Sequence, residues 1–321
     1  MPNEYISFDT FLMTSDNLPL SDRNQHLHED AKDYIANSLS DNTLNGYRSD
    51  LEHYIAWGGK LPATPEMVAN YLSDYADSLS VATLSRRIAA LSKIHELKKH
   101  PSPTKTDIVR SVMAGIRRKH SKPQRQASPI TKERLFMMLD TCDKDIKGIR
   151  DRAILLIGFT SAMRRSELIG LDRKDLEFVP EGVIITIERS KTDQEGQGQR
   201  IAIPFAKGDQ CAVKALKTYL TTAQIEEGPI FRSMNGNNLW HERMSSRGLV
   251  YIIKARAKAA GMDPSYFSGH SLRAGFVTTA AHSSVSTWQI MEQTRHKSEA
   301  TLRRYIREAN LFKKHALDGI L

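Results

Sequence analysis

KHSKPQRQASPI, residues 119–130, decides how this chain is divided. The stretch is polar and basic, holds two prolines and interrupts the apolar periodicity on either side of it, so it reads as a linker. Working outward from it, the N-terminal side reads as an all-helical domain over 29–118, preceded by a tail at 1–28 without sustained periodicity. The C-terminal side reads as a larger mixed α+β domain over 131–308, closed by an amphipathic tail at 309–321. The fold class is therefore mainly α with a small antiparallel β-hairpin or sheet.

Upstream of the linker, Leu44, Tyr47, Leu51, Tyr54 and Ile55 recur at helical spacing behind a cap at Ser40 or Asp41. Thr64-Pro65-Glu66 is a helix start, with Val68, Tyr71 and Leu72 as its apolar face. Ser80 opens another helix that turns Leu84, Ile88 and Leu91 inward and leaves Arg86, Arg87 and Lys93 for the outer surface. A further helix over 106–118 runs into Arg117, Arg118 and Lys119. Downstream, 146–160 carries Ile146, Ile149, Ala153, Leu156 and Ile157 on one stripe. Two strands, 183–189 and 199–205, flank the polar turn SKTDQEGQG. Helical patterns follow at 209–224, 246–260, 270–282, 286–293 and 299–307.

Composition excludes several classes. The chain of 321 residues is 40% hydrophobic and 26% charged, as in globular proteins. It has no apolar run long enough to span a bilayer and no secretory pattern at its acidic N-terminus. Cys142 and Cys211 lie far apart without metal-type spacing, so reduced cysteines and a cytoplasmic location are expected. Net charge is +9, unevenly placed: residues 1–80 hold 4 Lys/Arg against 13 Asp/Glu, whereas 81–125 hold 12 against 2. A basic stripe of that density suits a phosphate backbone, and equally a solvated surface.

Four strings present cations or a nucleophile. In SAMRRSELIGL (161–171), Arg164 precedes a helix start. Ser190-Lys191-Thr192 sits at the tip of the expected hairpin. In Gly269-His270-Ser271-Leu272-Arg273, the His and Arg are three apart and share a helix face. Arg295-His296 is followed nine residues after the His by Tyr305. Singly, each has an ordinary explanation: a helix-end ion pair, a turn lysine, a core histidine, a core tyrosine. Together, two arginines, a lysine and two histidines would polarise a phosphate for attack by the tyrosine hydroxyl. Neither metal-ligand spacing nor a P-loop appears, and no cofactor is expected.

This ordered set resembles the tyrosine recombinases, the phage-integrase family, over about residues 30–321. Within it the strings YFSGHSLR, QIMEQ and YIRE are most similar to the simple Cre-like site-specific recombinases. The resemblance implies that 29–118 is the SAM-like, core-binding, DNA-binding domain and 131–308 the catalytic domain. It implies a 3′-phosphotyrosine at Tyr305, with Arg164, Arg273, His270 and His296 holding the phosphate and Lys191 protonating the leaving 5′ oxygen. Glu167 would support the site. The partner would be double-stranded DNA with a specific recombination site. Four protomers would assemble on it and exchange strands through a Holliday junction, the tail 309–321 docking on a neighbouring protomer. About 28 residues precede the core-binding domain, so an additional arm-site domain is not expected. For contacts outside the active site, Arg86, Arg87, Lys93, Arg117, Arg118 and Lys119 are the candidates. The chain departs from the family pattern at Ala162 and Arg295, where glycine is common, and at Arg165, where apolar residues are common. Two other readings are a sequence-specific DNA-binding protein without catalysis and a topoisomerase of the tyrosine type.

Overall fold

The computed structural model describes residues 41–121, 127–187, 198–236, 238–296, 298, 299 and 302. The chain separates into two compact units, Met1–Gln124 and Arg125–Leu321.

The first unit is helical: α1 (Asp41–Ala56), α2 (Pro65–Asp74), α3 (Val81–Leu97) and α4 (Asp107–His120), with a 3-10 turn at Pro103–Lys105. Its helix starts lie where the caps are. Thr64 Oγ1 accepts from Met67 N at 3.2 Å, and Ser80 Oγ from Thr83 N at 3.1 Å. The apolar stripes of the four helices close on one core that includes Leu51, Tyr54, Val68, Tyr71, Leu72, Leu84, Leu91, Val109, Met113 and Ile116. Each fully buried Leu or Ile there contributes about 2 kcal/mol by leaving water.

Arg87 is the correction in this unit. It is 8% exposed and does not belong to the outer surface. It lies on the same stripe of α3 as Leu84, Leu91 and Ile94, and its Nη1 donates to Tyr71 Oη at 2.8 Å and to His53 Nδ1 at 2.7 Å. The acid that draws it inward is Asp50, 2% exposed, whose Oδ1 lies 3.6 Å from Arg87 Nε and 2.9 Å from Arg86 Nη2. A buried carboxylate is retained only with a counter-charge, so the neighbouring helix must supply one. Arg87→Ala is expected to lower stability by about 3 kcal/mol, since it removes the buried hydrogen bonds to Tyr71 and His53 and leaves Asp50 with Arg86 alone. Urea denaturation reads this, and an unchanged midpoint would contradict it.

The second unit opens with Ala127–Ile130 already packed in it. Ser128 N donates to Tyr266 O at 2.7 Å, and Ile130 N to Ser271 O at 2.9 Å. The described part of the expected linker is therefore shorter: α4 runs through His120, and Ile130 is fully buried. There follow α5 (Lys132–Asp140), α6 (Ile146–Thr160), α7 (Arg165–Gly170), β1 (Leu176–Val179), β2 (Gly182–Ile187), β3 (Gln199–Pro204) and α8 (Ala212–Thr222). Then come β4 (Arg232–Asn235), β5 (Asn238–Arg243), α9 (Ser246–Ala259), α10 (Ser271–His282) and α11 (Thr287–Thr294). Strands β1, β2 and β3 form an antiparallel sheet in that order, with Val183 opposite Ile203 and Ile185 opposite Ile201 on the buried face. The β4–β5 hairpin is a second, separate pair. Helix α6 runs through the core, with Ala153, Ile154, Leu155, Leu156 and Ile157 all at or below 2% exposure. Among the described residues, no helix is long and apolar enough to cross a membrane.

Candidate active site

The site is assembled from the ends of helices. Where α6 stops, Ala162 takes a left-handed conformation, φ 48°. That turn presents its carbonyl to Arg273, whose Nη1 donates to it at 2.6 Å. A β-carbon in this region costs about 1–2 kcal/mol, which is why glycine suits such a position. Arg164 follows as the N-cap of α7. Its backbone N–H donates to Glu167 Oε2 at 2.8 Å and its Nη1 to Glu167 Oε1 at 2.8 Å. Glu167 thus caps the helix and fixes the arginine side chain in one contact. A third donor reaches it from α11's far end, Arg295 Nη2 at 2.7 Å. Burial pushes the Glu167 carboxyl up; the Arg295 guanidinium and the hydrogen bonds from Arg164 outweigh this and hold it below the usual range.

Helix α10 carries the second arginine. His270 is its N-cap, exposed at the rim, and Arg273 is 2% exposed one turn inside. The helix is buried on almost every side, and the small residues Ala274, Gly275, Ala280 and Ala281 let its neighbours approach. Arg273 Nη2 lies 3.2 Å from His296 Nε2. A guanidinium only donates, so Nε2 accepts and the proton of neutral His296 sits on Nδ1. That Nδ1 lies 2.6 Å from Thr294 Oγ1, which in turn donates to Ile290 O at 2.6 Å. Thr294 therefore sets the tautomer and aim of His296.

Both imidazoles are held neutral. His296 is lowered to about 4, first by burial, then by Arg273 and Arg164, with His270 and Arg295 adding to it. His270 is lowered by partial desolvation, then by Arg273 and Arg164. Arg164 and His270 are thus near enough to act electrostatically on His296, which Arg273 contacts directly. A proton titration of His296 by NMR is expected to show a midpoint near 4, and one near 6.5 would contradict the geometry. Between these values the unfolded chain binds a proton that the native imidazole does not. Stability therefore rises with pH across the interval and is lost as pH falls through it.

Four of the six expected catalytic residues, Arg164, His270, Arg273 and His296, together with Glu167, are thus brought together. Lys191 and Tyr305 lie outside the described residues. Lys191 falls in the connection between β2 and β3, whose last register pair is Ile187 with Gln199. Leu302, three residues before Tyr305, is fully buried with Val277, Ala280, Ala281 and Ile290. The tail 309–321 and the N-terminal tail 1–28 are also outside the described residues. Sequence reasoning missed the Ala162 carbonyl and Thr294 as site groups. It met Ala162 and Arg295 only as departures from glycine, and both prove to be left-handed, φ 48° and 57°. Of the proposed DNA contacts, Arg117, Arg118 and Lys119 are exposed in the last turn of α4. Arg86 is half exposed, and Lys93 is paired with Glu96 at 3.3 Å.

The profile of the phage integrase family matches residues 129–311, and that of the phage integrase N-terminal SAM-like domain matches 33–100. The integrase/recombinase xerD homolog of Selenomonas ruminantium is 42% identical over 308 residues, 92% of this chain and 90% of that protein. The tyrosine recombinase XerC of Corynebacterium efficiens is 29% identical over 289 residues, 86% of this chain and 85% of that one. Two solved structures share the fold. The XerH site-specific recombinase in a post-cleavage complex with palindromic difH superposes with a TM-score of 0.61 at 17% identity, over 92% of this chain and 85% of XerH. A lambda integrase dimer bound to a COC′ core site superposes with a TM-score of 0.61 at 19% identity, over 94% and 83%. The chain belongs to the phage integrase family of tyrosine recombinases.

Proposed function

We propose that this chain is a site-specific recombinase that cuts and rejoins duplex DNA with Tyr305 as its nucleophile. The observation that carries the reading is the meeting of Arg273 with the Ala162 carbonyl and His296, beside Arg164 and His270. Two guanidinium groups match the non-bridging oxygens of a phosphodiester and stabilise the charge added in a pentacoordinate transition state. Tyr305 Oη attacks phosphorus, and its proton passes to a neutral imidazole, His270 at the exposed rim. The P–O5′ bond breaks as the P–O(Tyr) bond forms, and Lys191 gives its proton to the departing 5′ oxygen. The resulting 3′-phosphotyrosine conserves the bond energy, so a 5′-hydroxyl from a partner strand reseals the backbone. The scheme uses no metal ion and no ATP.

Double-stranded DNA with a specific recombination site is the partner in this reading. The relatives are named an integrase/recombinase xerD homolog and a tyrosine recombinase XerC, and a lambda integrase tetramer is known bound to a Holliday junction. Four protomers of this chain would exchange strands in the same way. Arg117, Arg118 and Lys119 contact phosphates, with Arg86 and Lys93 as further candidates; Arg87 does not. Arg117→Ala is expected to leave stability within about 0.5 kcal/mol and to reduce the slope of log affinity against log salt by about 1. An unchanged slope would remove Arg117 from the interface.

The test is a covalent trap. The protein is incubated with fragmented genomic DNA from its source, with EDTA and without ATP, then quenched with detergent. A detergent-resistant protein–DNA adduct is expected. Tight binding without an adduct would favour the non-catalytic reading. Relaxation of plasmids lacking any enriched site would favour a topoisomerase.

A further inference from the structure

Arg295 is expensive where it stands. It ends α11 in the left-handed region, φ 57° and ψ 43°, a conformation that glycine adopts without strain. Its side chain is 7% exposed, yet among the described residues only Nη2 has a partner, Glu167 Oε2 at 2.7 Å. Nε and Nη1 are buried without one among the described residues. A strained backbone and two unsatisfied buried donors both disfavour arginine here, and both would vanish with glycine. What the arginine supplies, and glycine would not, is a charge on the second oxygen of Glu167. The first oxygen already holds the Arg164 guanidinium at 2.8 Å.

We propose that Arg295 is a positioning residue of the site, clamping Glu167 so that Arg164 is held in register for the phosphate. This rests on the recombinase reading above. The carboxylate lies between the two guanidinium groups, and each of its oxygens has its own arginine. Without Arg295, Glu167 loses one of the two cations that face it, and Oε2 is held by the Arg164 backbone N–H alone, a looser seat for the carboxylate. Arg164 would then sample other rotamers, while the neighbouring His296 would remain tied to Thr294. The clamp acts on Arg164 and not on DNA itself, so the rate of the covalent step suffers and affinity does not.

The test uses the full chain in single-turnover adduct formation, first on fragmented genomic DNA from the source and then on the duplex recovered from it. Arg295→Gly should melt no lower than wild type and bind the duplex as tightly. Its adduct should form about 10- to 100-fold more slowly, the range seen when a group orienting a site ligand is lost. The acid limb of its rate–pH profile should move to higher pH, because Glu167, facing Arg164 alone, and His296, relieved of one neighbouring cation, both protonate more readily. Arg295→Lys and Arg295→Ala share the strained backbone, so their ratio reads the charge by itself, and the lysine variant should be the faster. An Arg295→Gly variant with wild-type rate and profile, or lysine and alanine variants of equal rate, would overturn the proposal. If wild type itself forms no adduct, the recombinase reading fails instead.

Discussion

Arg273→Ala should slow formation of the covalent adduct on the order of a thousandfold, as removal of a preorganised donor to a developing oxyanion does. The guanidinium is 2% exposed, and its Nη1 is spent on the Ala162 carbonyl at 2.6 Å. That bond orients the fork, so the remaining N–H groups are held in place before a phosphate arrives. No reorganisation is then needed in the transition state. Arg273→Lys should fare little better, because an ammonium cannot hold Ala162 O, His296 and a phosphate oxygen in one plane. The variant should still bind duplex DNA, whose affinity is spread over many phosphates. Single-turnover kinetics at saturating protein separate the two effects. A rate within tenfold of wild type would mean that Arg273 is structural.

Gly275→Ala should cost about 3 kcal/mol of stability, at the upper end of what an overpacked core loses. A β-carbon there would sit against the carbonyl oxygen of Ile130, far inside van der Waals contact, and 3.0 Å from its backbone nitrogen. These are backbone atoms and cannot swing away like a side-chain end. Ile130 N is bonded to Ser271 O at 2.9 Å, and the Ile130 side chain is fully buried. Relief therefore means moving α10 and breaking that bond. Arg273 is two residues from the clash, so the displaced helix would lose cleavage together with stability. The denaturant midpoint should fall with an unchanged slope. An unaltered midpoint would show that the segment entering this unit is not seated as described.

How much of this was legible in the sequence depended on whether a residue's role is local. Thr64 and Ser80 announce helix starts because a cap is a contact three residues long; Ser80 Oγ accepts from Thr83 N at 3.1 Å. Arg164, His270, Arg273 and His296 could be singled out as candidates because their order and spacing are carried along the chain. Arg87 was misplaced because its partner, Asp50, is on another helix, and charge alone suggested solvent. The β4–β5 hairpin was not anticipated because β5 buries almost nothing and so shows no alternating apolar face. Strand β1 is four residues long and too short to show a period. The Ala162 carbonyl could not be read at all, since every residue has one and only the fold aims it.

The central claim is that Tyr305 carries the DNA. The most direct measurement digests the trapped adduct with nuclease and trypsin and maps the nucleotide-bearing peptide by mass spectrometry. The account predicts a nucleotide joined through its 3′ phosphate to Tyr305, in the peptide that begins after Arg304, and no adduct from Tyr305→Phe. A nucleotide on any other side chain, or an adduct that survives in Tyr305→Phe, would contradict it.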